Sequence, residues 1–174
     1  MMYQFLALFF LVAFPALAQQ PPSDPFIKDE LLRWENARNY TLAVVEALPE
    51  SEFGFKPVAE EMDFSAQIVH LSDNILWLTS KFIAQKPASF SAKDYNGKGK
   101  KELIQLVNQT FDYAQASFAS FPADKLSEEV DFAGQKMTRR RIFFLINDHL
   151  THHRAQMIVY LRLQGIAPPK YVGW

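Results

Sequence analysis

Four stretches of the chain repeat apolar residues every three or four positions, the period of an α-helix that buries one face. The first spans Phe26 to Leu48 without Gly or Pro, behind Asp24 as N-cap and Pro25 in the first turn, and stops at Pro49. Gly54 and Pro57 mark a loop, after which Ile68, Leu71, Ile75, Leu78 and Phe82 define a second helix from about Phe64 to Ala84. A polar connection from Lys86 to Gly99 leads to Leu103, Leu106, Val107, Phe111, Ala114 and Phe118, a third helix that ends before Pro122. Thr138 caps a fourth helix from Arg139 to Gln164, closed by Gly165 and Pro168-Pro169. Between them Val130-Asp131-Phe132 and Gln135-Lys136-Met137 flank Ala133-Gly134, too weak a hairpin signal to count as more than a loop. The expected fold is all-α, a four-helix bundle whose sites lie between facing helices. The long link between helices two and three leaves the topology open.

The amino terminus follows a different pattern. Phe5 to Leu17 is an apolar run, shorter than the roughly 20 residues of a membrane-spanning helix, and it ends in Ala16-Leu17-Ala18. That is a secretory signal with a cleavage site after Ala18. The expected organisation is a signal peptide over 1–18, a flexible leader over 19–25 and a helical domain over 26–174. Export across the inner membrane to a periplasm follows, with no stable membrane anchor after cleavage.

Composition narrows the chemistry. Net charge is only -1, so no global field draws the protein to nucleic acid, and Arg139-Arg140-Arg141 with Lys98, Lys100 and Lys101 is read as a solvated face. The chain has no Cys, which excludes disulfides and thiolate ligands, so a metal must be held by His, Asp or Glu. Trp34, Trp77 and the many Phe are read as core packing. Homodimerisation is left open.

All four histidines fall in the expected helices: His70 on the second, and His149, His152 and His153 on the fourth. On a helical wheel His153 lies about 40° from His149, with Ile142, Gln156 and Tyr160 in the same stripe, while Asn147, Arg154 and Arg162 fall on the far side. Two imidazoles one turn apart on one face can share an ion. Position 150 is Leu, so the general base of a zincin helix is absent. If the second helix neighbours the fourth, His70 supplies a third nitrogen, and three His with open positions suit Zn²⁺, Ni²⁺ or Fe²⁺ in a catalytic site. A lone histidine is more often a hydrogen-bonded core residue; two in one apolar stripe shift the balance, because unpaired ring nitrogens there cost a few kcal/mol. His152 lies at the edge of the stripe, and Asp148, Gln156 and Tyr160 are the candidates to orient ligands or move protons.

The string Asp148-His149-Leu150-Thr151-His152-His153-Arg154-Ala155-Gln156, with Tyr160-Leu161-Arg162 and Gly165 behind it, resembles the carboxy-terminal signature of the DinB-like superfamily of metal-binding four-helix bundles. Ser65 to Leu71 resembles that family's helix bearing its first metal histidine, and Leu48-Pro49-Glu50 with Phe53 to Pro57 its first loop. The likeness covers residues 26 to 168. It implies a divalent metal ion held by His70, His149 and His153, with His152 left out. Ala155 replaces a frequent Gly, a small-for-small change. Relatives of known activity transfer small thiols or use them in isomerisation; others are hydrolase candidates. An exported member is remote from the cytosolic thiols, which weakens the transferase reading. The expectation is a metal-dependent enzyme of hydrolase or thiol-transferase type acting on a small-molecule substrate; the alternative is a non-catalytic structural or ligand-binding bundle with a metal in its core.

Overall fold

The computed structural model describes residues 24–173. The expected signal peptide and nearly all of the leader lie outside the described residues. Among the described residues there are four long helices, α1 (Pro25–Ala47), α2 (Phe64–Leu78), α3 (Lys100–Ala119) and α4 (Arg139–Leu163), with one small two-stranded sheet.

Local chemistry sets the helix ends. Asp24 accepts a hydrogen bond from the Ile27 amide at 3.2 Å, Asp63 from Ala66 at 2.7 Å and Thr138 from Arg141 at 3.3 Å, each satisfying an amide that the first turn leaves unpaired. Lys100 does the converse job for α1, donating to the carbonyls of Glu46 at 2.7 Å and Leu48 at 2.8 Å, where the helix dipole favours a cation. Gly165, at φ +71°, ends α4, with Ile166 N–H donating to the Leu161 carbonyl and Gly165 N–H to that of Arg162. The last turn of the second helix widens into a π-helical turn over Thr79–Ile83.

α1 packs against α3 and α4, and α2 packs against α3 and α4, so the diagonals of the bundle are α1/α2 and α3/α4. Non-adjacent crossings therefore fall on the loops after α1 and after α3, whereas the long link between α2 and α3 joins neighbours. The core is aromatic along one line. Trp34 meets Phe111 and Phe118 at 4.6 and 5.0 Å between ring centroids, Phe118 meets Phe143 at 4.8 Å, and Phe143 meets Phe26 at 5.5 Å, fastening α1, α3 and α4 together. Trp34 also donates its indole N–H to the Phe111 carbonyl at 3.2 Å, as a buried indole must.

Three expectations differ from the structure. The segment read as a loop is a hairpin, Glu129–Phe132 (β1) paired antiparallel with Gln135–Thr138 (β2), turning at Ala133 and Gly134, both with positive φ. That is the mirror-image two-residue turn whose twist suits a hairpin, and its usual Asn-Gly or Asp-Gly mark is missing because Ala stands first. Asp131 supplies the polar partner instead, accepting from the Gly134 amide at 3.1 Å. Trp77 is not core: 45% of it is exposed, with its ring 5.9 Å from Phe132 of β1. The arginine run also has a structural role. Arg139 is buried, donates to both Glu128 carboxylate oxygens at 3.1 Å and to the Phe82 carbonyl, and thereby ties the start of α4 to the hairpin approach and the π-helical turn.

Candidate metal centre

α2 and α4 are neighbours, and their contact brings His70 against His149 and His153. The ring centroids lie 5.2 Å apart for His70 and His149, 4.5 Å for His70 and His153, and 4.4 Å for His149 and His153. One ring nitrogen from each falls within 4.8 Å of the others, a group that could hold one metal ion. A tetrahedral zinc site with bonds of about 2.0 to 2.1 Å has nitrogens roughly 3.4 Å apart, inside the 4.8 Å limit of this group.

The face of α4 that carries the site is not the centre of its buried stripe. Buried positions on α4 include Phe143, Ile146, Asn147, Leu150, Arg154, Met157 and Leu161, so His153 is buried while His149 and His70 are half-buried at the margin. Asn147 and Arg154, placed on the outer side by a helical wheel centred on His149, point into the seam with α1, where Asn147 donates to Glu30 and to the Phe143 carbonyl. The histidine cluster therefore sits at the rim of the α2–α4 interface, where a small molecule can approach, and not at the bundle centre.

A chain of amides sets the state of His153. Gln67, fully buried one turn before His70 on α2, donates through Nε2 to Gln156 Oε1 at 2.5 Å and to the Tyr160 hydroxyl at 3.2 Å. Its Oε1 faces His153 Nδ1 at 2.6 Å. An amide oxygen only accepts, so Nδ1 carries the proton and Nε2 keeps its lone pair for a ligand. The Tyr160 hydroxyl in turn donates to the Met62 carbonyl at 2.8 Å, and the Gln156 amide pairs with His152 Nε2 at 3.0 Å. Burial and the Gln67 bond, opposed to each other, leave the Tyr160 phenol above its ordinary pKa.

Electrostatics favour neutral ligands. Burial first, and then the neighbouring His70 and His152, pull His149 down to a pKa of about 4. His153 is lowered to about 4 as well, by burial and then by His149, His70 and His152. Both imidazoles are uncharged at neutral pH, the state a metal requires. His149 Nδ1 is buried and has no hydrogen-bond partner among the described residues, an orphaned acceptor or donor that a cation or a bound ligand would satisfy. The residues present fit a divalent ion.

The remaining expected residues separate. Gln156 and Tyr160 join the histidine network through Gln67. His152 is exposed at the edge, its ring 4.9 Å from His153. Asp148 does not join: it is exposed and lines a cavity with Arg33 and Asn147 on the α1 side of α4. Gln67 was not anticipated, although its place three residues before His70 puts it on the same helix face. Beside the network, Pro57, Val58, Glu61, Gln156, Val159 and Tyr160 surround an open cavity of about 310 Å³. A larger one, of about 410 Å³, lies at the α1–α4 seam, away from the histidines.

Known proteins resemble the chain along most of this frame. A family model described as the DinB family matches residues 26–173. The uncharacterized protein YjoA of Bacillus subtilis is 21% identical over 131 residues, 74% of this chain and 84% of that protein. The crystal structure of the same DinB-like protein superposes with a TM-score of 0.67 at 20% identity, covering 82% of this chain and 96% of that one. A DinB-like protein from Bacillus cereus ATCC 10987 gives a TM-score of 0.73 at 18% identity, over 84% and 97% of the two chains. At these identities the solved structures speak to the fold alone.

Proposed function

The chain belongs to the DinB family, and from that premise we propose that it is an exported metal-dependent enzyme acting on a small molecule. His70, His149 and His153 hold one divalent ion. The observation that carries this reading is the convergence of three ring nitrogens within 4.8 Å, two of them on histidines held neutral. Three neutral ligands leave the ion its full charge, so it supplies Lewis acidity and lowers the pKa of water or thiol at an open position toward neutrality.

The protein's own groups do the rest. Gln67 orients His153 by accepting a hydrogen bond from its Nδ1–H, and holds Gln156 and Tyr160 in register with it. Gln156 and Tyr160 reach the cavity beside the cluster, where Pro57, Val58 and Val159 supply apolar walls and Glu61 a carboxylate. Substrate binds there, with its reacting group toward the histidines. His152, exposed and hydrogen-bonded to Gln156, is placed to exchange a proton with solvent.

A bundle in which the ion only staples α2 to α4 is the competing reading, favoured by the buried Gln67 bonds that already join those helices. A screen of the metal-loaded protein against ester, amide and thiol-acceptor panels separates the two, with His149→Ala as control. Activity that disappears in the control supports the enzyme. No activity, with a large metal-dependent rise in melting temperature, supports the staple. Export rests on the apolar run from Phe5 to Leu17 and the Ala16-Leu17-Ala18 triplet.

A further inference from the structure

The α1–α4 seam, on the far side of α4 from the histidines, holds a buried cation that forms no ion pair among the described residues. Arg154 is only 7% exposed, yet among the described residues no carboxylate lies within ion-pair distance of it. Its guanidinium has neutral partners at long range: the Ala37 carbonyl at 3.3 Å, and the Thr41 and Thr151 hydroxyls at 3.4 Å each. These three bonds use both protons on Nη1 and one on Nη2, leaving Nε–H and the second Nη2–H outside them, a fork of the kind that receives a carboxylate. The Tyr40 ring lies 4.9 Å from the guanidinium carbon in a cation–π contact, and Tyr40 and Tyr171, which both line the adjoining cavity, interact with the cation electrostatically. Burial lowers the Arg154 pKa from its ordinary value, a cost that a partner anion would remove.

The same residue borders the cavity of about 410 Å³, a volume in the range of small-ligand pockets. Arg154 and Arg162 line that cavity with no acidic side chain, while Ile158, Val159, Pro168 and Pro169 give it apolar walls. Arg154 also borders the neighbouring cavity that Asp148 lines with Arg33, but Asp148 makes no ion pair with it, and Glu30 is already bonded to Arg33 and Asn147. We propose that this cavity is a second ligand site, for a small organic carboxylate with an apolar body, its carboxylate on Arg154 and its body against Ile158 and the two prolines. The site is independent of the metal reading, because no histidine of the cluster lines it.

Isothermal titration of the full-length protein with benzoate tests this, with benzyl alcohol and inorganic phosphate as companion probes. Saturable benzoate binding is expected, with benzyl alcohol and phosphate each about tenfold weaker or more, because each lacks one of the two features. Arg154→Gln should weaken benzoate by roughly tenfold to a hundredfold. Since that variant disturbs a buried residue, Ala155→Phe serves beside it: Ala155 is exposed on α4 and borders the cavity, so the larger ring fills that space while Arg154 is retained. His149→Ala should bind benzoate as the wild type does. No saturable binding up to about 10 mM, phosphate binding as tightly as benzoate, unchanged binding in folded Ala155→Phe, or loss of binding in His149→Ala would each overturn the proposal.

Discussion

Gln67 joins three side chains through one amide, and the energetic weight of the site falls on it. Its oxygen accepts from His153 Nδ1 and its nitrogen donates to Gln156 and Tyr160, so Gln67→Leu breaks all three bonds and frees the His153 ring to turn. Loss of such an orienting partner typically costs metal affinity about tenfold to a hundredfold. Competition of the variant against a chromogenic chelator should show that loss; equal affinity would place Gln67 outside the metal's support. The histidines themselves set a pH window. Folded His149 and His153 titrate near 4, below the unfolded value of about 6.5, so the unfolded chain binds more protons between those limits. Their contribution to stability is complete above about pH 6.5 and is lost as the pH falls toward 4. In the metal-free protein the fall in melting temperature over that window should therefore be shallower in His149→Ala than in the wild type. Parallel curves would contradict the depressed pKa. Gln67 escaped notice in the sequence because glutamine carries no ligand chemistry of its own; only the face it shares with His70 marks it.

The helices were legible because their signals are local. Caps at Asp24 and Thr138, the stop at Gly165 and the apolar period recover all four to within a few residues. The hairpin was not, since Ala133 adopts φ 53° without the side chain that normally favours it. Ala133→Asn should relieve that conformation and raise stability by a few tenths to about 1 kcal/mol, measured by urea denaturation. A decrease would show that Ala133 is held by contacts beyond its own backbone. At the head of α4, Arg139→Met removes the partner of the buried Phe82 carbonyl and should cost about 1 to 3 kcal/mol in the same assay. An unchanged midpoint would mean that water replaces the guanidinium there. The α4 wheel misled for a related reason. The wheel was centred on His149, which put Asn147 and Arg154 outside, but both are buried where α1 offers Glu30, Thr41 and backbone carbonyls. His149 is thereby moved from the stripe centre to its margin, which turns a core metal into an accessible one.

At the scale of the molecule, packing order decides whether the histidines meet. His70 is separated from His149 by most of the domain, and only the adjacency of α2 and α4 closes the cluster. Neither apolar period nor loop length specifies that adjacency, which is why spacing supplied the His149–His153 pair and left His70 conditional until the family resemblance implied it. Among the described residues no helix is long and apolar enough to cross a membrane. Export would be seen as an intact mass beginning at Gln19 in protein recovered from a bacterial envelope, and full-length chain in the cytosol would contradict it. Elemental analysis of the purified protein beside the triple variant His70→Ala, His149→Ala, His153→Ala tests the central claim most directly. The account predicts close to one divalent ion per chain in the wild type and none in the variant, whereas equal metal in both would contradict it.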